Sequence, residues 1–100
     1  MANFEHTGEK IPSAPSKDPD SVIDYGVDWS RWLRDGETIS TSTWLVEDGL
    51  TIEREAFSDT ITTVVLSGGT VNTQYTITNR VVTSFGAIDD RSMKIKCREK

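Results

Sequence analysis

The chain has 100 residues, a formal net charge of -5, an isoelectric point near 4.7 and a single cysteine. Its length sets one domain as the expectation, with only about 60–65% of the unfolded surface buried on folding. The acidic balance argues against a general nucleic-acid binder, and one cysteine excludes an internal disulfide and a cysteine-rich metal site. No apolar run reaches the ~20 residues of a membrane-spanning helix. The first residues, MANFEHTGEK, carry no apolar signal core, so Sec export is not expected.

Residues 1–21 hold all three prolines, Pro12, Pro15 and Pro19, among Ser, Lys, Asp and Gly. Such a stretch predicts an extended or flexible arm, disordered in the isolated chain and ordering in part within an assembly. Its large apolar anchors, Phe4 and Ile11, are candidate partner contacts. A single β-sandwich domain is expected over residues 22–100.

Tyr25, Val27 and Trp29 alternate, the period of a half-buried strand. Trp29, Trp32 and Leu33 suit a turn that Asp28 is placed to cap. Arg34-Asp35-Gly36-Glu37 reads as a loop. The Thr-rich run over residues 38–46 favours a strand, but Ile39 is out of phase with Trp44 and Val46, which predicts a bulge or a change of face. After the Glu47-Asp48-Gly49 turn, Leu50 and Ile52 open a shorter strand ending near Glu55, and Phe57 is expected to plug the core from the next loop. Residues 60–66 carry apolar side chains on both faces, which predicts a central strand or one that touches a partner. Residues 74–97 read as a long hairpin. Tyr75, Ile77 and Val81 share the inner face of one strand, and Met93, Ile95 and Cys97 that of the other. The acidic pair Asp89-Asp90 is placed in the connection.

Six or seven strands separated by turns predict an all-β immunoglobulin-like or fibronectin type III-like sandwich, with a small barrel as the competing form. Little chemistry stands out. His6 lies in the arm, and Asp24/Asp28 and Asp89/Asp90 lack the spacing of a calcium loop or a cleft carboxylate pair. No catalytic residue, cofactor or metal site is assigned. Trp44 reads as core, whereas Trp32 beside a turn is a candidate interface anchor. Lys94, Lys96 and Arg98 form a basic stripe on the last strand, with Arg80 on the same sheet, as further candidate partner contacts.

The ordered pieces DYGVDWSRWL (24–33), GETISTSTW (36–44), DGLTI (48–52), VLSGGT (65–70), YTITNRVVTSFG (75–86) and DDRSMKIK (89–96) resemble a family of small tailed-bacteriophage structural proteins of the fibre–tail adaptor or neck component type. The resemblance covers about residues 22–98 and implies an immunoglobulin-like or fibronectin-like fold. It implies architectural roles for Trp29, Trp44, Leu50, Tyr75, Asn79, Thr83, Gly86 and Arg91. It further implies a non-enzymatic virion protein at the neck or tail, assembled in the bacterial cytoplasm. Its partners would be neck, tail or fibre proteins and copies of itself, with no direct nucleic-acid or membrane contact. A capsid decoration protein and a carbohydrate-binding module at the host surface are the alternative functions.

Overall fold

The computed structural model describes residues 13–98. Six strands follow one another: β1 (Ile23–Asp28), β2 (Ile39–Val46), β3 (Leu50–Phe57), β4 (Ile61–Gly68), β5 (Gln74–Thr83) and β6 (Ile88–Lys96). They form two three-stranded antiparallel sheets with orders β1-β4-β3 and β2-β5-β6. The inner faces pack together as a sandwich, and the all-β expectation holds with six strands.

Period-two patterning makes the core. Thr62, Val64 and Leu66 of β4 are fully buried, and Tyr25 and Val27 reach the same layer from β1. Tyr75, Ile77, Asn79, Val81 and Thr83 point inward from β5, opposed by Ile95 of β6 and by Ile39 and Trp44 of β2. Cys97 is buried as well, and Met93 packs against the cluster. β4 and β5 are the centres of their sheets; the outward apolar residues of β4 are Ile61, which is exposed, and Val65, which is half-buried. The register of β2 on β5 shifts between Ile39 and Thr41, the irregularity that the phase change in its sequence predicts.

Asn79 is an amide at the centre of this apolar layer. Its Oδ1 accepts from Trp29 Nε1 at 3.0 Å and from Thr62 Oγ1 at 2.7 Å. Its Nδ2 donates to Ser42 Oγ at 2.9 Å and to the Thr43 carbonyl at 3.2 Å. An amide has two acceptor and two donor valences, and all four are used. The indole can only donate and the carbonyl can only accept, so the orientation of the amide is fixed. The group ties β2, β4, β5 and the turn that follows β1 across both sheets.

Two expectations need correction. Phe57 does not plug the core from a loop: β3 continues past Glu55 to Phe57, whose side chain is 47% exposed. β3 is an edge strand whose register shifts between Ile52 and Arg54, and beyond that bulge its side chains leave the packed layer. Asp89 and Asp90 do not lie in the hairpin connection. β6 begins at Ile88, and the pair sits opposite Val81 and Arg80 of β5. The tight turn between these strands has Gly86 at φ 87, a left-handed conformation that glycine adopts without a Cβ penalty.

Candidate partner interface

Residues 13–17 lie along the outer edge of β6. Ser13 and Lys17 make parallel bridges to Lys94 and Cys97. The Ala14 N–H donates to the Lys94 carbonyl at 2.8 Å, the Lys17 N–H to the Lys96 carbonyl at 3.1 Å, and the Arg98 N–H to the Lys17 carbonyl at 2.9 Å. Lys17 is fully buried. Its ammonium donates to the Gly68 carbonyl at 2.6 Å and to the Asp18 carbonyl at 2.9 Å. A buried charge needs such donors satisfied. The arm thus covers part of the edge that a strand at the end of a sheet otherwise presents to other chains. Sequence reasoning did not find this role for Lys17; a lysine between prolines reads as solvated.

Each sequence-predicted contact residue has a definite place, except that Phe4 and Ile11, like His6, fall outside the described residues. Lys94 and Lys96 project from the outer face of β6 and are half-buried, and Arg98 follows the strand, exposed. Arg80 lies on the same outer face, further along β5 opposite Asp90, and it is engaged: its guanidinium donates to both carboxylate oxygens of Asp90, at 2.8 and 3.0 Å. Trp32 is half-buried, its ring edge-on to Trp29 with centroids 5.2 Å apart. The Trp29–Leu33 turn forms as expected, with the Trp32 and Leu33 amides donating to the Trp29 carbonyl. The Asp28 carboxylate accepts from the Ser30 amide, which holds it below its ordinary pKa. Trp29 and Trp44 are buried, so the indoles serve the core rather than forming an aromatic platform for sugars.

Arg91 belongs to the same end of the sandwich. Its register partner is Asn79, and its guanidinium lies 4.6 Å from the Trp29 ring centroid, a cation–π geometry. Nearby, Glu37 is buried against the hairpin turn. It accepts from the Arg34 backbone and side chain and from the Thr83 hydroxyl, and these donors pull its carboxyl down to about 2. Thr83 Oγ1 in turn accepts from the Phe85 and Ala87 amides. These are structural contacts that fix the start of β2 to the β5–β6 turn.

An open groove of about 480 Å³ runs beside Ser42 of β2 and residues 52–57 of β3. Its polar groups do not converge. Glu53 accepts from the Ser67 hydroxyl on the outer side, and Glu55 and Phe57 are exposed. Among the described residues no cluster of three or more His, Cys, Asp or Glu is placed to hold a metal ion. Among the described residues, the outer surface carries singly exposed apolar side chains, among them Val22, Leu45, Ile61, Phe85 and Ile88.

No curated protein matches the chain. A family model described as "Podophage GP4 fiber-tail adaptor protein gp77" matches residues 17–96, which span all six strands and begin at the buried lysine of the arm. The chain therefore belongs to the podophage fibre–tail adaptor family.

Proposed function

We propose that this chain is a non-enzymatic virion component that sits at the neck or tail of the particle and holds fibres or neighbouring tail proteins in place. The family match over residues 17–96 carries the reading. The strand orders β1-β4-β3 and β2-β5-β6 support an immunoglobulin-type scaffold: they are the orders of strands B-E-D and C-F-G in such domains. Residues 13–17 then replace strand A, crossing to the β6 edge. The partners are tail and fibre proteins and further copies of the chain, repeated around the tail so that modest contacts add up to firm attachment. Assembly takes place in the bacterial cytoplasm, without direct contact to nucleic acid or membrane. The arm over residues 1–21 and the basic end of β6 are the contacts we assign to partners, together with Trp32. Cryo-electron microscopy of the intact particle tests the proposal. Side-chain density for this chain between tail and fibre, in repeated copies, is the expected result; its absence from every repeated position sinks the reading.

A further inference from the structure

One flank of the sandwich is closed and the other is open. On the closed flank the Arg91 guanidinium of β6 donates to the Asp28 carbonyl of β1 at 3.3 Å, and residues 13–17 lie along the β6 edge. On the opposite flank β3 and β2 are the outermost strands of their sheets, and among the described residues no further strand pairs with either. Residues 53–57 of β3 are all exposed. Yet Glu55 and Phe57 are the register partners of the buried Val64 and Thr62, which places them on the inner side of the sheet. Across from them Ser42 of β2 is bonded to the central Asn79. The groove of about 480 Å³ beside Ser42, Ile52 and Phe57 is therefore a slot that opens into the layer between the sheets. Trp44 stands two residues along β2 from Ser42, on the same inner side. It is 3% exposed, and its indole N–H has no acceptor. Buried donors are ordinarily paired.

The described chain begins at Ser13, against β6, on the flank away from the slot. Twelve residues precede it, MANFEHTGEKIP, with Phe4 near their far end. Fully extended, they span at most about 40 Å, more than the 28 Å and 19 Å breadths of the molecule. That length reaches a copy standing beside the β6 flank, whereas the slot of the same chain lies behind the full width of the sandwich.

We propose that residues 4–11 of one copy enter the β2–β3 slot of the next copy as an added strand. Strand addition at an open sheet edge uses backbone hydrogen bonds for affinity and side-chain pockets for register. The free edge of β3 supplies the backbone groups, Ile52 and Phe57 receive Phe4, and a carbonyl of the inserted segment accepts from Trp44 Nε1. An arm on one flank and a slot on the other make a heterologous contact, which closes into a ring where its rotation allows. The proposal rests on the reading of a component repeated around the tail, but it is tested on the purified chain, so its failure is distinguishable from absence from the particle.

The first test adds a synthetic peptide of residues 1–12 to the full chain carrying Phe4→Ser and Ile11→Ser, whose own arm is disabled and whose slot is intact. Saturable shifts of the β3 amides over residues 52–57 and of the Trp44 indole N–H are expected in NMR spectra. Signals unmoved up to millimolar peptide overturn the proposal and assign the slot to a tail or fibre protein. The second test is sedimentation. Wild type should form species larger than dimers as its concentration rises. The arm variant and the slot variant Phe57→Asp should each associate at least about tenfold more weakly, since each lacks one half of the contact. Mixed, they should form dimers and stop there, because only one arm and one slot remain between them. A wild-type chain that stays monomeric, or a mixture no more associated than its parts, overturns the exchange. If slot signals in dilute wild type already match the peptide-bound state, independent of protein concentration, the arm fills its own slot, and the exchange between copies is overturned as well.

Discussion

Asn79 shows how much one polar side chain can carry in a domain of this size. With all four of its valences satisfied in a layer closed to water, it orients Trp29 and fixes both sheets to each other. Asn79→Ala leaves the Trp29 indole N–H and the Thr62 hydroxyl without their acceptor, and each buried unsatisfied group costs about 1–3 kcal/mol. We expect a loss of about 2–4 kcal/mol in urea unfolding, a large part of the roughly 5–15 kcal/mol available to a small domain. A loss under about 1 kcal/mol would show that water or repacking replaces the amide. Glu37 makes a prediction in pH. Its carboxyl is held at about 2 by Arg34 and Thr83, below the ordinary value of about 4.3 for glutamate. A carboxyl depressed in the folded state stabilises fully above its unfolded pKa, and that contribution is lost as pH falls toward its folded pKa. Stability should therefore decline between about pH 4.5 and pH 2, and Glu37→Gln should flatten that decline. Parallel acid limbs for the two proteins would place the pH dependence on other carboxylates.

At the scale of elements, legibility followed the physics of each strand. β1, β4 and β5 were readable because period-two alternation in a half-buried or central strand records burial directly. The bulge in β2 was readable from the phase of Ile39 against Trp44. β3 was not: Phe57 has the composition of a core residue and pairs with buried Thr62, yet its place at the end of an edge strand, beside the open groove, leaves it exposed. Asp89 and Asp90 resemble turn residues by type, yet Asp90 is paired across the ladder with Arg80, a contact set by register between residues ten apart. Register was also what the sequence left out at Asn79. The resemblance marked Asn79, Tyr75, Thr83 and Arg91 as architectural, and the structure supplies the reasons: the central amide, a phenol that accepts from the Thr70 amide, a hydroxyl on Glu37 and a cation over Trp29. The candidate contacts were legible as exposed charge on β6, but the Arg80–Asp90 pair and the parallel arm on that strand were not, because both depend on partners distant in sequence.

For the whole molecule, the arm changes what counts as the folded unit. Composition alone placed the boundary of the sandwich near residue 22, yet residues 13–17 complete an edge and bury a lysine between the arm and the end of β4. Five hydrogen bonds join them to the sandwich: Ala14 to Lys94, Lys17 to Lys96, Arg98 to Lys17, the Lys17 ammonium to Gly68, and a long one from the Tyr25 hydroxyl to the Pro15 carbonyl. At about 1 kcal/mol net each, offset by the entropy of ordering a short extended segment, they contribute roughly 2–4 kcal/mol. A chain that begins at Val22 should thus unfold at lower urea than one that begins at Ser13, by that amount. It should also lose protection from hydrogen exchange at Arg98, while the Ile77 and Val81 amides in the middle of β5 stay protected. Lys17→Ala in the longer chain should reproduce part of the loss, because the backbone bonds remain when the ammonium is gone. Equal unfolding midpoints for the two chains would mean that the sandwich is complete from residue 22 and that the arm is held for a partner's use rather than its own.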